Sequence, residues 1–155
     1  MSIVLKGGRI IDADGERSGD LLVEDGVIAA IGEDLSADTV LDAAGCIVAP
    51  GLVDLHAHLR QPGQEEAETI ESGSRCAALG GYTAVMAMPN TVPAIDSAAA
   101  VREVQELART ALCLVVTAGA ITVGRAGQRL APLAEMADLG CASSPTTAPA
   151  SRTTS

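Results

Sequence analysis

The chain has 155 residues, 48% of them hydrophobic, enough to bury the core of one medium domain or of a piece of a larger one. Ten Lys and Arg against twenty Asp and Glu give a formal charge of −10 with no basic run, which argues against nucleic acid or an anionic membrane as partner. No apolar run approaches the roughly 20 residues of a membrane span, and the opening MSIVLKGGRIIDADG has polar breaks where a signal peptide needs an apolar stretch, so a cytoplasmic location is expected.

In chain order, residues 1–50 read as a small β module. The segments IVLKGGRIID, LLVEDGVIAAIG with its Glu24-Asp25-Gly26 turn, and VLDAAGCIVAPG are rich in β-branched residues and punctuated by glycine. Their strands are too few to close a sandwich alone, so this stretch is expected to be the N-terminal part of a β-sandwich.

After Pro50-Gly51 the pattern becomes strand, helix, strand, helix, strand. Strands are predicted near Leu52–His58, Thr83–Met88 and Leu112–Ala118, an alternation that implies a parallel sheet. Between them Glu65–Leu79 reads as a helix with an acidic start, closed by Gly80-Gly81. Asp96 or Ser97 can cap the next helix, in which Val101, Val104, Leu107, Ala108 and Ala111 form a buried stripe. Cys46, Cys76, Cys113 and Cys141 are too dispersed for a metal knuckle or a compact disulfide framework, and buried free thiols are expected.

The chemistry sits in Gly51-Leu-Val-Asp-Leu-His-Ala-His-Leu-Arg60. Period-two alternation places Leu52, Asp54, His56, His58 and Arg60 on one face and Val53, Leu55, Ala57 and Leu59 on the other. His56 and His58, the two histidines of the chain, can both reach one cation from the end of an apolar strand, and neutral imidazoles suit Zn²⁺. Asp54 would either orient a ligand or make a purely structural bond.

With VAPGLVDLHAHLRQPG at 48–63, ETIESGSRCAALGGYTAV at 68–85 and AMPNT at 87–91, the sequence resembles the amidohydrolase superfamily, and within it the longer, bacterial dihydroorotase type. The resemblance covers residues 3–140. It implies an α/β fold with a partial TIM-like (β/α)8 barrel at 51–140 behind the sandwich module at 1–50. The implied activity is zinc-dependent interconversion of dihydroorotate and N-carbamoyl-aspartate in pyrimidine biosynthesis. His56 and His58 carry over as metal ligands, for one or two zinc ions. Arg60 and Asn90 carry over as the groups that hold the substrate carboxylate. Arg60 offers a charged fork suited to that task, and Asn90 an amide at a strand end.

Such a barrel takes about 250 residues, whereas the chain has room for about three strand–helix units after residue 50. The family's further metal ligands and its general base are expected in later elements, so no catalytic base is assigned and the chain alone is expected to be inactive. The stretch 141–155, CASSPTTAPASRTTS, reads as a non-family, disordered or frameshifted tail. With one choice of synonymous codons, regrouping Cys141–Ala148 by a single base yields Val-Arg-Leu-Phe-Thr-Asp-Asp-Gly, an acidic strand end of the family's kind. Two rival readings are a hydantoinase or allantoinase type of cyclic amidohydrolase, and a non-catalytic partner of aspartate transcarbamoylase. The expected partners are a small-molecule substrate, a further copy of the chain or a transcarbamoylase.

Overall fold

A computed structural model describes residues 1–143, and the regrouped codons of the tail fall mostly outside them. The chain divides into two compact units, Met1–Pro50 and the part from Gly51 onward.

The first unit is one mixed sheet. Strands β1 (Ser2–Asp12), β2 (Gly15–Glu24) and β3 (Val27–Gly32) form an antiparallel meander, and β4 (Thr39–Asp42) and β5 (Ile47–Val48) pair parallel with β1. Val4, Ile10 and Leu21 are buried, each contributing about 1.5–3 kcal/mol. Between Leu5↔Leu21 and Gly8↔Gly19 three steps on β1 match two on β2. This bulge is fixed by one carboxylate: Asp20 accepts from Lys6 Nζ at 2.8 Å, Gly7 N at 2.9 Å and Leu35 N at 3.1 Å. Gly7, at φ +67°, supplies the left-handed turn that the bulge needs. The Lys6 hydrogen bond, helped by the Gly7 amide, holds the Asp20 carboxyl below its usual range.

In the second unit β6 (Leu52–Ala57), β7 (Tyr82–Ala87), β8 (Leu114–Gly119) and β9 (Ala142–Ser143) lie side by side, all parallel. Helix α1 (Ile70–Leu79) joins β6 to β7, α2 (Ala98–Leu107) joins β7 to β8, and the short α3 (Leu133–Ala137) precedes β9. Parallel neighbours require such crossovers. β9 lies inside the stretch read as non-family, where Ala142 pairs with Ala118 and Ser143 with Gly119. The core is built from Ile70, Val85, Ile95, Val101, Val104 and Met136. Among the described residues the four strands form an open sheet.

Helix α1 starts at Ile70, five residues later than the acidic run suggested. Thr69 and Ser72 form a reciprocal capping box, which satisfies the orphan amides there and leaves Glu65, Glu66 and Glu68 ahead of the helix. Gly80 closes it with bonds to Cys76 and Ala77 carbonyls. Of the two candidate caps of α2, Ser97 is the one used, its hydroxyl accepting from Ala100 N. The expectation of buried thiols fails for Cys46 and Cys76, which are exposed. Cys113 and Cys141 are half-buried, which pushes both thiols up.

Candidate functional site

Strand β6 departs from the strict alternation that the sequence suggested. Asp54 stands beside Val85 and Ala57 beside Ala87, so Leu55 and His56 together oppose the single residue Met86. This is a two-against-one bulge, a device that re-aims side chains at the ends of sheets. It is secured locally, because Asp54 Oδ1 accepts from the backbone N–H of His56 at 2.8 Å.

The bulge changes the face assignment. Val85 and Ala87 belong to the helix-covered core, so Asp54 joins Ala57 and Leu59 on the helix side. Val53, paired with Ala84, lies on the other side. Asp54 still lines one cavity with His56 and His58, beside Cys76 and Ala77 of α1, while Val53 and Leu55, the apolar face of a strict alternation, are exposed at 57% and 67%. Period two failed here because one inserted residue reverses every later assignment.

His56 and His58 come together at the C-terminal end of β6, their ring centroids 5.1 Å apart in an edge-to-face arrangement. A centroid lies roughly 1.1 Å behind its ligating nitrogen. Two imidazoles at about 2.0–2.1 Å from one tetrahedral zinc would thus have centroids about 5.2 Å apart. The pair fits a shared cation by spacing and by donor chemistry. Among the described residues no third His, Cys, Asp or Glu joins it.

Asn90 reaches the same place from the neighbouring strand. Met88 N donates to Ala57 O at 2.9 Å, fastening the ends of β6 and β7 together. Met88 and Pro89 are buried, and Ile95 N donates to Pro89 O at 3.2 Å. From this fixed turn the Asn90 amide oxygen lies 2.7 Å from His58 Nδ1.

Arg60 follows on the Leu59–Gly63 loop, exposed and without an ion pair or side-chain hydrogen bond among the described residues. Its backbone is left-handed at φ +61°, and Gln61 N donates to Leu59 O at 2.7 Å, closing a three-residue turn around it. Such γ-turns with a positive central φ are rare and strained. Strain of this kind persists where surrounding structure enforces it. Here Val92 N donates to Pro62 O at 3.0 Å, and Gly63 packs directly against the Val92 carbonyl. Gln61, not anticipated from sequence, accepts from Ile70 N at 2.9 Å and ties the loop to the start of α1. No local pattern could have announced that bond, which links positions nine residues apart through a side-chain amide.

A family model described as dihydro-orotase-like matches residues 45–144. The chain is 46% identical over 147 residues to a dihydroorotase of Pelobacter propionicus, covering 91% of this chain and 35% of that protein. It is 40% identical over 146 residues to a dihydroorotase of Aquifex aeolicus, with the same two coverages. The chain thus spans about a third of the length of the curated relatives it matches. Among solved structures, an L-hydantoinase (dihydropyrimidinase) from Arthrobacter aurescens superposes with a TM-score of 0.71 at 31% identity, over 77% of this chain and 28% of the other.

Proposed function

Since the chain belongs to the dihydroorotase-like family, we propose that it carries the metal-binding and carboxylate-gripping rim of an enzyme that opens and closes the cyclic amide of dihydroorotate. The four parallel strands are, in this reading, the first strands of a (β/α)8 barrel, with the site at their C-terminal ends, where barrels of this type place their chemistry. The single observation that carries it is the meeting of the His56 and His58 rings with Asn90 at adjoining strand ends, close to Arg60, whose side chain has no partner among the described residues.

The residues divide the work. His56 and His58 hold the cation, while Asp54 locks the His56 backbone from behind. A zinc ion held by His56 and His58 would supply Lewis-acid activation of water and of the scissile carbonyl. Arg60 offers two parallel N–H donors to the substrate's carboxylate, and the Asn90 amide nitrogen adds another. Product is formed when water adds to the ring carbonyl carbon and the ring C–N bond breaks, giving N-carbamoyl-aspartate. The same reading assigns the protein to the cytoplasm, where the implied small-molecule substrate would be met.

One observation favours a second reading: hydantoinases superpose well on this chain. Hydantoin itself carries no carboxylate, so the exposed Arg60 fork would then have no partner. The test is turnover of dihydroorotate, hydantoin and allantoin by the protein containing this chain at the family's full length. Preference for dihydroorotate is expected; faster turnover of hydantoin would overturn the assignment.

A further inference from the structure

Histidine can present only one bare nitrogen in its neutral form, and the proton on the other decides which. At His58 that choice is made by a neighbour. The amide oxygen of Asn90 lies 2.7 Å from Nδ1, a distance at the short end for an N–H donating to oxygen. An oxygen there demands the proton on Nδ1, which leaves Nε2 bare. Ligating histidines ordinarily have their second nitrogen held in this way by a carboxylate, carbonyl or water.

The support behind Asn90 is rigid. Its turn follows buried Met88 and Pro89, the Met88 amide is bonded to Ala57, and the Pro89 carbonyl is bonded to the fully buried Ile95. Ala57 in turn precedes His58 directly. The backbones that carry the acceptor and the imidazole are thus fastened to one another through two paired strands.

Resting on the reading of His58 as a metal ligand, we propose that Asn90 is a positioning residue for His58. Its Oδ1 fixes the Nδ1–H tautomer and turns Nε2 toward the cation, while its amide N–H groups stay available to the substrate carboxylate. One side chain then serves ligand and substrate at opposite ends. A change that turns this amide over would protonate Nε2 and weaken the cation as well as the substrate.

The chain has two histidines, so a long-range proton–nitrogen spectrum of the metal-free, ¹⁵N-labelled protein contains two imidazoles, and His58→Gln identifies which is which. Recorded above the range in which imidazole is protonated, the spectrum of the unsubstituted protein should show His58 with a proton on Nδ1 and a bare Nε2. Asn90→Leu should release it toward the Nε2–H form and weaken Zn²⁺, titrated on the same signals, by about 10-fold or more. Asn90→Asp, which keeps an acceptor, should hold the tautomer and stay within a few-fold of the starting affinity. A protonated Nε2 in the unsubstituted protein overturns the proposal, and that result stands even if Asn90→Leu fails to fold. Unchanged tautomer and affinity in a folded Asn90→Leu protein overturn it equally. None of these readouts depends on dihydroorotate turnover, so failure of the enzymatic assignment and failure of this one are separable.

Discussion

His56 and His58 are related by a 5.1 Å centroid spacing that suits one shared ion. In the proposed reading each is a metal ligand, so in the full-length protein His56→Ala and His58→Ala should each lose bound zinc together with activity. Elemental analysis of the purified variants decides it, and full zinc content in either would remove that residue from the ligand set. Arg60 separates two properties that usually travel together. Arg60→Met should weaken dihydroorotate binding and leave zinc in place, whereas Arg60→Gly should do the same and also stabilise the fold by roughly 1 kcal/mol, since glycine occupies φ +61° freely. Denaturant unfolding of the two variants measures the difference. Asp20 illustrates the same residue-scale control at a structural position. Ionised Asp20 contributes stability above about pH 4, and this is lost as pH falls through its depressed folded value. Asp20→Asn should therefore destabilise most near neutrality, with the gap closing on acidification below about pH 4; urea midpoints at both ends of that range would show it, and a gap independent of pH would refute it.

Among the elements, those with simple periodicity were legible in the sequence. The strands at 52–57, 82–87 and 114–119 and the stripe of Val101 and Val104 follow from β-branched runs and helical spacing, and the structure places them within two residues. What escaped depended on competition between local options. Glu65 and Glu66 look like a helix start, but Thr69 and Ser72 satisfy each other's groups and win the cap. The face of Asp54 escaped because a bulge leaves no mark in residue types. His56, His58, Arg60 and Asn90 could be picked out by chemistry and family pattern, whereas the Asn90–His58 bond, 32 residues apart in sequence, could not. The loops that carry these residues lean on one another through Gly63. At φ +98°, with the Val92 carbonyl against its missing side chain, Gly63 admits no Cβ without moving a loop. Gly63→Ala should cost about 1–3 kcal/mol and disturb the Arg60 turn, visible as weaker substrate binding at unchanged zinc content.

At the scale of the molecule the two units share a construction: in each, an aspartate side chain captures a backbone N–H at a bulge, Asp20 at Gly7 and Asp54 at His56. They also share exposed apolar surface. On β6, Val53 and Leu55 are uncovered, and β6 pairs with β7 alone among the described residues. An apolar strand with a free edge invites association with other chains. Leu55→Lys should lower self-association of the 155-residue chain in sedimentation velocity; identical behaviour would mean that this edge is not the contact. The bulge in β6 also makes the strand more sensitive to length than to composition. Its helix-facing positions run 54, 57, 59, so the rhythm slips phase once between Asp54 and Ala57. A library that randomises these positions under strict alternation would sample the wrong phase on one side of the slip. One extra codon after Ala57 would turn the second imidazole away from the first without replacing any amino acid, so an in-frame insertion can undo such a site as a lost ligand does.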